Sequence, residues 1–94
     1  MYNAIHVRLF VHFESVNYKH NLEYCKAFGN HLRNLREKKG FGMRQFALHA
    51  DIEYSQLSKI ERGVTNPTIS TVLALAVALE VPPQELFNFS FPNK

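Results

Sequence analysis

The chain has 94 residues, 46% of them hydrophobic and 20% charged, with one cysteine, five histidines and a formal net charge of +3. That length holds one domain and one modest core, burying roughly 60 to 65% of the surface that the unfolded chain exposes, and it excludes a second independent domain. The composition excludes the polar excess of a disordered chain and the unbroken apolar run of a membrane span, and a lone cysteine, Cys25, cannot close an intrachain disulfide. Cys25 is expected as a small buried apolar residue in a reducing compartment.

The opening stretch AIHVRLFVHF is interrupted by His6, Arg8 and His12 and lacks a basic leader and a small-residue cleavage site. It reads as neither a span nor a signal peptide, so a cytoplasmic protein is expected. Ile5, Val7, Leu9, Val11 and Phe13 alternate with His6, Arg8, Phe10 and His12, a period of two that predicts a strand with one apolar face. Phe87, Phe89 and Phe91 repeat that spacing at the other end. A strand needs a partner for its backbone and cover for its face. The candidates are the other terminus and the same strand of a second subunit; an arm packed on its own helices is the alternative.

Between these ends the spacing is helical. Cys25, Phe28, Leu32 and Leu35 predict a first helix from Leu22 to Lys38, capped by Asn21 and ended by Gly40. Met43, Phe46, Ala47 and Ala50 predict a short second helix entered through Gly42. Leu57 and Ile60 anchor a third from about Glu53 to Arg62, closed by Gly63. Pro67 stops the chain, Thr68 caps, and Ile69, Val72, Leu73, Ala76 and Leu79 form the stripe of a fourth. Pro83 suits the first turn of a short fifth helix through Leu86 and Phe87. The expected organisation is an arm over 1–20, a helical domain over 21–88 and a tail over 89–94.

The offsets from Met43 to Arg62 have a physical cause. Two helices joined by a turn of three to four residues at roughly 90 to 120° nearly collide, so the fifth residue, Ala47, must be small. The ninth, Asp51, must turn the chain, and Asp tolerates the positive φ this requires better than most residues. Leu57 and Ile60 then hold the third helix inward while Tyr54, Ser55, Ser58 and Lys59 face out. An ordinary helical hairpin fits these positions too. From Tyr24 to Gly63 eight basic residues stand against four acidic ones, so the positive field sits in the middle of the chain, where either a polyanion-binding surface or a solvated helix face would place it.

The segments GNHLRNLREKKGF, FALHADIEYSQLSKIERG and NPTISTVLALAVALEVPPQELF resemble the phage-repressor-like (xenobiotic response element, XRE) family of prokaryotic helix-turn-helix regulators, over about Phe28 to Phe87. The resemblance implies an all-α, compact five-helix DNA-binding domain, here with an extra N-terminal strand, and a helix-turn-helix over 43–62. It implies a transcriptional regulator, a repressor or operon controller, that binds double-stranded DNA at a palindromic operator as a homodimer, with no cofactor. Base-reading positions fall on Tyr54, Ser55 and Gln56, with Ser58 and Lys59 a turn later. Positions that touch phosphate fall on Arg44, Thr65, Asn66 and Thr68. Gln56 offers paired groups to adenine, Lys59 donates to guanine, and Tyr54 can bond a phosphate or lie on a thymine methyl. Arg36 and Glu61 match a structural ion pair.

Three departures stand out: Gly42 where a capping Ser or Asn is usual, Met43 where a glutamine commonly touches phosphate, and Asp51 in place of the turn glycine. Glu53, where a Ser or Thr cap is usual, sets a negative charge beside the DNA while favouring the positive helix N-terminus. The favoured dimer pairs the N-terminal strands of two subunits. An enzyme has little support, since His6, His12, His20, His31 and His49 lack metal-site spacing and a nucleophile partner. The rival reading is an antitoxin that binds a toxin protein and regulates its own operon.

Overall fold

The computed structural model describes the backbone over residues 4–91 and the side chains over residues 21–91. Within it the chain forms four α-helices, α1 (Ala4–Lys38), α2 (Met43–Ala50), α3 (Tyr54–Arg62) and α4 (Ile69–Leu79), followed by a 3-10 helix, Pro83–Phe87. Among the described residues there is no strand.

The expected N-terminal strand is overturned: residues 5–13 lie in α1, which runs without a break through Asn21, the expected cap, and across the expected boundary at residue 20. The physical reason is backbone pairing. A lone strand leaves its N–H and C=O groups unpaired, whereas a helix satisfies its own, and neither glycine nor proline occurs before Gly29 to stop it. The sides of the arm expected to be apolar and polar lie outside the described side chains.

The expected fifth α-helix is a 3-10 helix instead. Five residues led by adjacent prolines are too few for more than one α-turn, and the bonds are of the i→i+3 kind, Glu85 N–H to the Pro82 carbonyl at 2.9 Å and Asn88 N–H to Glu85 at 3.3 Å. The aromatic tail packs on α1 through its rings rather than beside a strand. Phe28 and Phe87 have centroids 5.1 Å apart, Tyr24 and Phe89 5.2 Å, and Tyr24 and Phe91 4.9 Å, spacings at which aromatic pairs attract.

One core joins all five elements. Phe28 and Leu32 of α1, Phe46, Ala47 and Ala50 of α2, Leu57 and Ile60 of α3, four residues of α4 and Leu86 are buried together. Each large aliphatic or aromatic side chain among them contributes about 1.5 to 3 kcal/mol. Leu35 packs against this core from its margin, and Cys25 is half-buried rather than buried.

On α4 the expected stripe is only partly inward. Leu75, Ala76, Ala78 and Leu79 are buried and Val72 is half-buried, whereas Ile69, Leu73 and Val77 are 88%, 53% and 66% exposed. A helix reading ISTVLALAVAL is apolar on nearly every side, so its periodicity selects no face.

The helix ends share one device. At the ends of α1, α2, α3 and α4, paired backbone bonds close a left-handed turn, at Gly40 (φ 83°), Asp51 (φ 59°), Gly63 (φ 75°) and Glu80 (φ 60°). Gly63 has a second reason to be glycine, because a Cβ there would collide with the backbone of Lys26 in α1. Gly29 lies opposite: a Cβ on it would run into the carbonyl oxygens of Ile60 and Glu61. Two glycines therefore let α1 and α3 approach backbone to backbone.

Candidate nucleic-acid interface

The helix-turn-helix geometry starts at Ala47, which is buried where α2 meets α3. Ile52 N–H bonds to the Ala47 carbonyl at 3.0 Å and Asp51 N–H to Leu48 at 3.1 Å, so the chain leaves α2 sharply with Asp51 in the left-handed conformation. Glu53 is the N-cap residue of α3, with extended backbone (φ −70°, ψ 145°) but no side-chain capping bond; Gly42 caps α2 in the same bare way. Leu57 and Ile60 turn one side of α3 into the core, and Tyr54, Ser55 and Lys59 lie exposed on it.

The buried ion pair fixes α3 from behind. Arg36 of α1 donates from Nε to Glu61 Oε2 at 2.6 Å and from Nη2 to Oε1 at 3.0 Å, while its Nη1 donates to the Phe41 carbonyl at 2.8 Å. The half-exposed Arg33 lies 3.6 Å from the same carboxylate. The hydrogen bond with Glu61 raises the Arg36 pKa above its ordinary value, outweighing the burial that would lower it. Every polar group of this pair is used inside the fold, which separates Arg36 from the residues that face solvent.

On the outer side, Arg44, Tyr54 and Gln56 come together around an open hollow between α2 and α3 whose floor and rim also include Leu48, Asp51, Ile52 and Glu53. The Arg44 guanidinium lies over the Tyr54 ring, 4.7 Å from its centroid. Spacing along the chain does not signal this contact, because it joins two elements across the turn. Leu48, 82% exposed one turn after Arg44, is a second residue of the hollow that periodicity passes over.

The remaining expected positions differ in how free they are. Ser58 is half-buried and its Oγ accepts from Arg62 Nε at 3.2 Å. Thr65 and Asn66 lie in the loop before α4, half-buried and exposed respectively. Thr68 is the N-cap residue of α4: its Oγ1 accepts from Thr71 N–H at 3.1 Å and donates to Thr71 Oγ1 at 3.1 Å, so its hydroxyl is engaged within the chain. Met43 is half-buried against the core, in keeping with its apolar side chain. Among the described residues no group of His, Cys, Asp and Glu could hold a metal ion, and no helix is long and apolar enough to cross a membrane.

Residues 29–89 match a family described as a helix-turn-helix domain. The HTH-type transcriptional regulator SlrR of Bacillus subtilis is 41% identical over 61 residues, a match covering 64% of this chain and 40% of that protein, so the chain spans well under half of that relative's length. The control protein C.BamHI of Bacillus amyloliquefaciens is 30% identical over 64 residues, covering 67% of this chain and 79% of the relative. The crystal structure of the restriction-modification controller protein C.AhdI from Aeromonas hydrophila superposes with a TM-score of 0.66 at 36% identity, covering 67% of this chain and 96% of that one. With the small residue at the helix crossing, the left-handed turn and these matches in one stretch, the chain belongs to the XRE-type helix-turn-helix family of transcriptional regulators.

Proposed function

We propose that the chain is a cytoplasmic, sequence-specific DNA-binding transcriptional regulator, a repressor or operon controller, and not an enzyme. The observation that carries this reading is the placement of α3: Leu57, Ile60 and Glu61 are held inside, and Tyr54, Ser55 and Lys59 face solvent beside the hollow that contains Arg44 and Gln56. In this arrangement α3 enters the major groove, Ser55, Gln56 and Lys59 meet base edges, and Arg44, Thr65 and Asn66 meet phosphates. The relatives named as a transcriptional regulator, as a control protein and as a restriction-modification controller protein favour regulation over toxin neutralisation.

The regulator acts as a homodimer on a palindrome, with recognition helices about 34 Å apart. With no strand in the described chain, the surface best suited to a second copy is α4, where Ile69, Leu73 and Val77 expose an apolar ridge at four-residue spacing on a helix without a charged residue. Selection of bound duplexes from a random DNA pool tests the reading. Recovery of one palindromic sequence supports it, and recovery of no preferred sequence overturns it.

A further inference from the structure

We propose that Tyr54 is a positioning residue that acts on DNA through Arg44, a proposal that rests on the DNA-binding reading above. Arg44 is the second residue of α2 and Tyr54 the first of α3, so their contact bridges the two helices of the motif at the ends where both begin. The guanidinium carbon stands 4.7 Å from the centroid of the Tyr54 ring, within the range in which the ring's negative face attracts a cation.

Charge and donors divide the guanidinium's work. A cation is drawn to the ring by its charge, whereas a phosphate is gripped through the five N–H groups of the guanidinium. The ring therefore restrains the side chain by attraction to its charge and leaves N–H donors for phosphate oxygens. Asp51 and Glu53 line the same hollow, yet among the described residues the ion-paired carboxylate is that of Glu61, and its partners are Arg33 and Arg36. The guanidinium of Arg44 is not claimed by either neighbouring acid.

A free arginine loses much rotamer freedom when it grips a phosphate, and a side chain already held in place loses less. Tyr54 thus lowers the ordering cost of a phosphate contact made beside the N-terminus of the recognition helix. It also ties that contact to α3, so that the phosphate held by α2 sets the register in which α3 meets the bases. The hydroxyl of Tyr54 has no part in this role.

The test measures binding of the full chain to a duplex recovered by selection and to an unrelated duplex, over a range of salt concentrations. The variants are Tyr54→Phe, Tyr54→Ala, Arg44→Ala and the double alanine variant. Tyr54 is 43% exposed, and thermal melting checks that each variant is folded. Tyr54→Phe is expected to bind like the wild type, and Tyr54→Ala to lose about two- to fivefold on both duplexes. In the Arg44→Ala background, Tyr54→Ala is expected to add no further loss. In the free protein, the Arg44 side-chain proton resonances, shifted upfield by the ring, should move back in Tyr54→Ala and stay in Tyr54→Phe. A Phe variant as weak as the Ala variant, or a full Tyr54→Ala loss without Arg44, overturns the proposal and assigns Tyr54 a direct contact. Failure of the wild type to bind any duplex is a separate outcome, which overturns the DNA-binding reading and this proposal with it.

Discussion

Glu61 of α3 holds the Arg36 guanidinium of α1 through both carboxylate oxygens, at 2.6 and 3.0 Å, with both side chains buried. Removing one partner leaves a buried charge without compensation. Glu61→Ala should therefore lower stability by about 3 to 5 kcal/mol, and replacing both partners with apolar residues of similar volume should cost far less. Urea denaturation of the single and double variants measures the difference.

The same pair sets an expectation for pH. The folded pKa of Arg36 is raised, so its contribution is fully present below the ordinary arginine value and is lost only as pH rises through the raised one. Arg36 should thus contribute no change in stability between about pH 6 and pH 10.

Glu53 starts α3 without a capping bond. Glu53→Ser supplies an oxygen for a free N–H of the first turn and should raise stability by about 1 kcal/mol. It also removes a negative charge from the hollow beside Arg44, so binding to duplex DNA should tighten at low salt. Thermal melting and a binding titration on the same variant separate the two effects.

The ridge on α4 calls for a test of assembly. Leu73→Glu places a charge on an exposed position and should leave the monomer folded while converting the proposed dimer to monomer at low micromolar concentration. Sedimentation equilibrium reads the mass. A variant that stays fully dimeric would place the dimer contact elsewhere.

Arg44→Ala should weaken binding to all sequences alike and lower the slope of log affinity against log salt by about one unit. A change of base preference with an unaltered slope would remove Arg44 from the phosphate contacts.

Legibility in the sequence followed the range of the interactions. The C-terminal ends of α2 and α3 and the start of α4 were readable because local chemistry makes them: Asp51 tolerates a left-handed turn, Gly63 favours one, and Thr68 caps with its own hydroxyl. The start of α1 was misread, since AIHVRLFVHF alternates like a strand while containing nothing that breaks a helix. The face of α4 was blurred because its residues are apolar on most sides. Gly29 and the Arg44–Tyr54 contact depend on what lies across the fold, the carbonyls of α3 in one case and a ring beyond the turn in the other. Single-chain periodicity contains no term for either.

The measurement that bears most directly on α3 as the reading element compares wild type, Gln56→Ala and Lys59→Ala on the selected duplex and on each of its single-base-pair variants. Each substitution should relax discrimination at particular base pairs by about 1 to 3 kcal/mol while leaving the other positions unchanged. Specificity profiles that match the wild type in both variants would contradict the assignment of α3 to the major groove.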